Sequence, residues 1–274
     1  MREFVDLKYP RDGVAVVTMS NPRIQNNGSW KAVHEIADAM IEAREQGRAR
    51  AIVLASAVPG HWWEHAWLQD LADTMEGKPA SGPGGAFPRV IDEIRRPDAV
   101  VIAAISGDCS GGGAELGWTC DLRIAEEQAV FGQPEIQIAL PTGRGGTSRL
   151  ARLIGRPAAA ELVLLGRPMT ARRIHALGGI NAVVPEGQSL ALALEWAERL
   201  ASYSAHALST LKRMLNDNDD MSLSDALANE QSLFVEVART PQAIARMREI
   251  QARFDAGESI RAVYGEPREP HDPH

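Results

Sequence analysis

SGDCSGGGAELGWTCD, at residues 106–121, is the most informative stretch of this sequence. It follows AVVIAAI at Ala99–Ile105, an apolar and β-branched run that predicts a buried strand. Three consecutive glycines, Gly111–Gly113, then lead into a predicted helix whose first turn contains Glu115. Glycine lets backbone amides approach a ligand without a Cβ in the way, and a helix N-terminus carries partial positive charge. The stretch therefore predicts a site for negative charge that develops on an oxygen, with the Gly112 amide as one donor.

Other uses of a glycine triplet are possible at this point of the chain. A phosphate cradle is disfavoured, because the stretch has neither the GK[ST] ending of a P-loop nor the GxGxxG order of a dinucleotide site. Tight packing of a strand against a helix remains an alternative for the triplet taken alone.

Outward from this stretch, buried strands and amphipathic helices alternate. Strands are predicted at Gly13–Met19, Arg50–Ser56 and Gly179–Val184, where short runs are rich in valine and isoleucine. A helix is predicted from Ser29, as its N-cap, to Arg44, because apolar residues recur there at helical spacing. A second helix is predicted over Phe87–Ile94. Helices interleaved with such strands predict an α/β fold with a partly parallel sheet.

The C-terminal part of the sequence predicts helices without intervening strands. They cover Leu190–Tyr203, Ala205–Leu215 and Leu223–Phe254, which is typical of a helical oligomerisation region. We therefore predict two parts, a core with the active site over residues 1–200 and a helical region with a frayed tail over residues 201–274.

Composition excludes several classes of function. The chain has 274 residues, 45% of them hydrophobic and 24% charged, which indicates a globular protein with a substantial core. A net charge of −7 argues against nucleic-acid binding, which requires a basic face. Cys109 and Cys120 lack the spacing of metal ligands and are too few for a disulfide framework, so no metal is expected. The charged N-terminus and the absence of a long apolar run predict a cytoplasmic protein without a membrane segment.

A second segment makes the interpretation more specific. FGQPEIQIALPTGRGGTSRL, at residues 131–150, places Glu135 twenty positions after Glu115 and contains another glycine-rich turn. GGGAEL, FGQPE and PTGRGGTSRL together resemble the crotonase (enoyl-CoA hydratase/isomerase) superfamily, and the similarity runs from about Val14 to the C-terminal helices. CDLRIA at Cys120–Ala125, LLGRPMTA at Leu164–Ala171 and GGINAVVP at Gly178–Pro185 add to the resemblance.

The resemblance implies a fold and a chemistry. The fold would be a spiral of ββα repeats with C-terminal helices that assemble trimers, often paired as hexamers. Two backbone amides, here those of Ala66 and Gly112, would bind a thioester carbonyl as an oxyanion hole. Glu115 and Glu135 would hold a water between them and move its protons, and the presence of both favours hydration over isomerisation. CoA would enter as part of the substrate, with no permanently bound cofactor. A capping or surface role is the alternative for each glutamate.

The first oxyanion segment departs from the family pattern. Where members usually resemble FCAGADL, this chain has WWEHAWL at Trp62–Leu68, with Glu64 as an additional acid and His65 at the flexible glycine. Both could supply acid/base groups or could point outward. Tryptophans near the site, with Trp30 as a further candidate, suggest a bulky or atypical acyl group such as an aromatic or polycyclic one, and core packing is the equal alternative. The predicted pocket residues are Trp62, Trp63, Glu64, His65, Trp67 and Trp118.

A second departure concerns the phosphates of CoA. Family members usually carry basic residues where this chain has Gln25, Gln69 and Gln251, although Arg23, Lys212, Arg248 and Arg253 are available as substitutes. This leaves three alternatives to a hydratase open. They are a CoA-independent retro-Claisen hydrolase of a cyclic β-diketone, an enoyl-CoA isomerase and a non-catalytic scaffold.

Overall fold

The computed structural model describes residues 2–218 and 220–265. These residues fall into two compact units that divide between Tyr203 and Ser204. The first unit contains every strand of the described chain. These strands are β1 (Val5–Arg11), β2 (Val14–Met19), β3 (Ala51–Ser56), β4 (Gly60–His61), β5 (Val100–Ile105), β6 (Gly107–Ser110), β7 (Leu122–Glu126), β8 (Val130–Gly132), β9 (Met169–Thr170) and β10 (Ala182–Val184).

Eight α-helices of the described chain belong to the same unit. They are α1 (Trp30–Glu45), α2 (Leu68–Met75), α3 (Ala86–Arg95), α4 (Gly111–Thr119), α5 (Ser148–Ile154), α6 (Arg156–Leu165), α7 (Ala171–Ala176) and α8 (Ser189–Ala201), with 3₁₀ turns at Pro22–Ile24 and Glu135–Ile138.

Two sheets organise the first unit. The larger has the order β1-β2-β3-β5-β7-β10, and only the β1–β2 pair is antiparallel. The smaller has the order β4-β6-β8-β9. Three times the chain passes from a strand of the larger sheet to one of the smaller, at β3–β4, β5–β6 and β7–β8, and a helical segment follows each pair. This repetition is the predicted ββα spiral, and it brings the ends of β4, β6 and β8 together.

The predicted elements of the core are confirmed, with different bounds. Ser29 caps α1 by accepting a hydrogen bond from Ala32 N–H at 3.3 Å. The strand expected from Gly179 begins only at Ala182, because the Gly179 N–H is bonded to Ile174 O at the end of α7. Apolar side chains fill both faces of the larger sheet, with α1 and α3 on one face and α8 on the other. This packing holds the strand ends that carry the site.

The second unit is helical. It contains α9 (Ala205–Asn218), α10 (Leu223–Ala238), α11 (Pro241–Asp255) and α12 (Ile260–Tyr264). The segment predicted as helical over Leu223–Phe254 is divided, because Thr240 caps a new helix and Pro241 occupies its first position. The predicted frayed tail includes α12, and residues 266–274 lie outside the described part. No helix among the described residues is long and apolar enough to cross a membrane.

Candidate active site

A cavity of about 560 Å³ lies in the first unit, beside the N-terminus of α4. Its apolar wall comes mainly from α2, the start of α3 and the segment after Glu135. Four ionisable side chains line it, and two of them are the predicted catalytic glutamates. The four are His65, Glu115, Glu135 and Arg144.

The glycine triplet is shaped by close contacts with the 62–67 segment. Gly111 has a φ of +47°, a conformation that L side chains rarely adopt. A Cβ on Gly113 would lie only 2.0 Å from the carbonyl oxygen of Trp63. Two backbone segments therefore meet at the cavity, and only glycine allows the approach.

One side of the segment around Ala66 forms a strand-like contact, and the Ala66 N–H points to the other side. An isolated parallel bridge joins Gly28 and Ala66. Its hydrogen bonds run from Gly28 N–H to His65 O at 2.8 Å and from Trp67 N–H to Gly28 O at 3.0 Å, so the Ala66 N–H is directed to the opposite side. A Cβ added to Gly112 would lie 3.4 Å from the Ala66 nitrogen, and both residues line the cavity. The structure thus brings the two predicted oxyanion donors side by side.

Glu115 is buried, with a relative exposure of 3%. The sequence predicts Glu115 in the first turn of its helix. Because α4 begins at Gly111, Glu115 lies in the second turn. Its Oε1 accepts hydrogen bonds from Arg144 N–H at 2.6 Å and Gly146 N–H at 3.0 Å. A capping or surface role does not describe this carboxylate, which a glycine-rich turn holds at the cavity wall.

Glu135 is half-buried and opens the 3₁₀ turn after β8. Its Oε1 accepts a hydrogen bond from the Gln133 side chain at 3.3 Å, and its Oε2 is buried without a donor among the described residues. Burial raises the pKa of Glu135, and the neighbouring charge of Glu115 adds to the increase. Both carboxylates line the cavity, and they are near enough for the charge of Glu115 to act on Glu135.

The predicted tryptophan pocket is not formed. Trp62 and Trp63 are fully buried and stack on each other with ring centroids 4.7 Å apart, and their indole N–H groups donate to Leu54 O and Ala55 O. Trp118 is buried against Phe131, and Trp67 precedes α2 without lining the cavity. Large apolar rings are stabilised most by complete burial, so the pocket prediction is corrected to core packing for Trp62, Trp63 and Trp118. Trp67 is half-buried and lies outside both the core and the cavity.

The two additional ionisable residues of that segment have separate surroundings. His65 lines the cavity, and its Nδ1 lies 2.8 Å from Ala66 O, so Nδ1 carries the hydrogen of this bond. Glu64 does not line the cavity, because its carboxylate is bonded to His61 and Ser110. Only His65 of these two is placed to contact a substrate.

Sequence reasoning assigned no role to the turn that holds Glu115. Arg144 and Gly146 belong to PTGRGGTSRL, which was recognised only as a motif, and Gln133 lies in FGQPE next to the predicted acid. The sequence did contain a signal for these residues, since each glutamate has a glycine-rich turn near it. Among residues 2–218 and 220–265 there is no group of three His, Cys, Asp or Glu that could hold a metal ion.

Comparisons with known proteins agree with this arrangement. The chain matches the enoyl-CoA hydratase/isomerase family over residues 10–250. A short-chain-enoyl-CoA hydratase of Clostridium acetobutylicum is 30% identical over 229 residues, which cover 83% of this chain and 87% of the relative. A protein of Dictyostelium discoideum named "Probable enoyl-CoA hydratase, mitochondrial" is 34% identical over 227 residues, or 81% of this chain and 78% of the relative.

Solved structures show the same fold. The crystal structure of an enoyl-CoA hydratase from Bacillus anthracis matches with a TM-score of 0.81 at 27% identity, over 96% of this chain and 100% of that one. This fold, together with the site, is that of a crotonase-type enzyme. The chain belongs to the enoyl-CoA hydratase/isomerase family. The predicted family and fold class are therefore confirmed, and the relatives named as hydratases support a hydro-lyase.

Proposed function

We propose that this protein hydrates an α,β-unsaturated acyl-CoA thioester. One observation carries the proposal. Glu115 and Glu135 line one cavity, and the Arg144 and Gly146 amides hold Oε1 of Glu115 at its wall. A water bound between the two carboxylates can meet both an acceptor and a donor of protons.

The proposed reaction begins with the thioester carbonyl at the Ala66 and Gly112 amides. The water oxygen adds to the β-carbon while Glu115 accepts one water proton. The electrons of the double bond pass to the carbonyl oxygen, where the two amides and the positive end of α4 stabilise the enolate. Glu135 then gives a proton to the α-carbon, and the carbonyl re-forms. The direction of the Glu135 pKa shift supports this assignment, because a raised pKa favours the protonated form that a proton donor requires.

The phosphates of CoA need positive charge, and Arg23 is the one substitute predicted from the sequence that lies in the first unit. Arg23 is exposed at the end of the Pro22–Ile24 turn and makes no ion pair with any described residue. Gln69 is bonded within its own helix to Asp73, as Gln251 is to Asp255. We therefore propose that Arg23 contacts a phosphate of CoA in place of the missing basic residues.

The acyl group is proposed to be apolar. Leu68, Leu71, Phe87 and Ile138 line the cavity, and Trp30 is the one tryptophan of the described chain that does so. The buried tryptophans give no support to an aromatic group specifically. A cavity of about 560 Å³ nonetheless has room for more than a short chain.

Turnover and CoA affinity test the proposal together. Loss of the enoyl absorbance is expected with crotonyl-CoA or a longer-chain enoyl-CoA, and calorimetry should detect CoA binding that weakens in Arg23→Ala. Arg173→Ala, which removes an exposed arginine paired with Glu161, is the matched control. The glutamines at the usual basic positions favour one competitor, the CoA-independent hydrolase. Cleavage of a cyclic β-diketone without measurable CoA binding would replace the hydratase, and conversion of only a 3-enoyl-CoA would indicate an isomerase.

Assembly and location complete the proposal. Apolar side chains on α9 and α10 are exposed, with Leu215 at 74% and Phe234 at 61%. Such surface supports self-association through the second unit, as a trimer or a pair of trimers. Light scattering after size-exclusion chromatography would measure the mass. The cytoplasmic location remains a prediction from the sequence, to be tested by fractionation of cells.

A further inference from the structure

Ser110 occupies the N-cap position of α4 but does not cap the helix. Its backbone is extended, as it is for the residues that do cap helices in this chain. Those residues each accept a hydrogen bond from the amide three positions later, and in the described part they include Ser29, Thr170, Ser222, Thr240 and Ser259. The hydroxyl of Ser110 instead donates to Oε2 of Glu64 at 2.5 Å.

The missing cap bond matters because of which amides it would engage. A capping hydroxyl accepts from the second or third residue of the helix, and in α4 these are Gly112 and Gly113. A hydroxyl oxygen in that place would compete with a substrate oxygen for the Gly112 N–H. The Ser110 hydroxyl and the substrate oxygen would both accept hydrogen bonds at the N-terminus of α4, which carries partial positive charge.

Hydrogen bonds hold Glu64 in a position that keeps the Ser110 hydroxyl away from the first amides of α4. Its Oε1 lies 3.0 Å from Nδ1 of His61, and its backbone N–H donates to Asn26 O at 3.1 Å. The carboxylate is mostly buried, with 13% of the side chain exposed. Glu64 is thus fixed by three neighbours and reaches across from the first oxyanion segment to the second.

We propose that Glu64 is a positioning residue that binds the Ser110 hydroxyl and thereby leaves the Gly112 amide free for the substrate oxygen. The inference rests on the proposed oxyanion role of Gly112. It gives Glu64 a function other than the acid/base role considered from the sequence, since its carboxylate does not line the cavity. Glu64 acts through Ser110 and touches neither substrate nor the reacting atoms.

A double-mutant cycle tests the proposal through turnover of crotonyl-CoA. Glu64→Ala should lower kcat about tenfold, the size of effect that a competing cap bond of ordinary strength would have. In the Ser110→Ala background the same change should have little effect, because the competing hydroxyl is gone. An equal loss in both backgrounds would overturn the proposal. A merely structural role for Glu64 would not be suppressed by removing Ser110.

Crystal structures separate failure of this inference from failure of the proposed function. In Glu64→Ala, the Ser110 Oγ is expected within hydrogen-bond distance of Gly112 N. If Oγ stays away from this amide, the proposal is wrong, whatever the activity. If wild-type protein hydrates no enoyl-CoA, the proposed function fails and the position of Oγ still decides the inference.

Two control variants guard against loss of folding. Glu64→Gln retains an acceptor for Ser110, so it should keep Oγ off the helix and restore most of the kcat that Glu64→Ala loses. Failure of this rescue, with the fold intact by thermal unfolding, would count against the proposal. Glu161→Ala removes an exposed carboxylate that does not line the cavity, and it should leave kcat unchanged.

Discussion

The two segments that form the proposed oxyanion hole each present a backbone amide to the cavity, but they do so in opposite ways. Gly111–Gly113 has no side chains, and its amides come close to the neighbouring segment because nothing intervenes. Trp62–Trp67 carries large side chains, and the first two rings are buried in the core while the Ala66 N–H is directed to the cavity. An amide can therefore be presented either by removing side chains or by anchoring them elsewhere. The two strategies should respond differently to mutation.

The largest effect is expected on the glycine side, where the helix that presents Gly112 also carries Glu115. Glu115→Gln and Glu135→Gln should each lower kcat for hydration by about 10²–10⁴-fold, because each removes a group that transfers a proton. Thermal unfolding should show that both variants remain folded. Glu161→Gln is the matched control, since this carboxylate lies outside the cavity. Near-normal hydration by both active-site variants would contradict the assignment.

On the tryptophan side the main effect should be on stability. Trp62→Ala removes a fully buried ring and is expected to lower the free energy of unfolding by about 3–5 kcal/mol. Trp67→Ala, in the same segment but only half-buried, should cost less. Urea denaturation measures both. Equal losses would mean that burial of the ring is not what anchors this segment.

Contact between the two segments can be tested at Gly113. A Cβ there would meet the Trp63 carbonyl, so Gly113→Ala should cost about 1–3 kcal/mol of unfolding free energy by forcing the segments apart. Gly143→Ala is the control, because no atom lies within 4 Å of its added Cβ. Urea denaturation again supplies the measurement. If the two variants unfold alike, the close approach is not as tight as described.

The smallest effect is expected on the pH dependence of Tm, which should differ between Glu135 and a carboxylate whose pKa is not raised. Its pKa is raised above 4.5 in the folded protein by burial and by Glu115. The protonated form therefore stabilises the fold below 4.5, and that contribution is lost as pH rises through the raised pKa. The Tm of Glu135→Gln relative to wild type should increase over this window.

Glu161 provides a control of opposite sign. Its hydrogen bond with Arg173 lowers its pKa, so its stabilising contribution is present above 4.5 and is lost as pH falls through the lowered pKa. The Tm of Glu161→Gln relative to wild type should therefore increase toward acid pH, and only slightly, since the pair is exposed. Scanning calorimetry from about pH 3 to about pH 8 measures both variants. Parallel curves for Glu135→Gln and wild type would contradict the raised pKa.

Most of the fold could be predicted because its signals are local. Valine-rich runs, helical spacing and the Ser29 cap identified β2, β3, β5, α1 and α3. The division of the long C-terminal helix was missed although Thr240 and Pro241 signal it. The order of strands in the two sheets came only through the family resemblance, since pairing between distant strands leaves little trace in local sequence.

Local sequence was enough to identify the glycine turn, the two catalytic candidates and the family. Each of these features depends on a short run of consecutive residues, whose conformational freedom or chemistry does not depend on the tertiary fold. The tertiary structure was needed to show that Trp62 and Trp63 are buried in the core, that Arg144 and Gly146 hold Glu115, and that Glu64 binds Ser110. These relations join residues that are distant in sequence or lie in an irregular segment without periodicity. Their geometry depends on how the ββα repeats pack, because that packing alone sets which side chains meet.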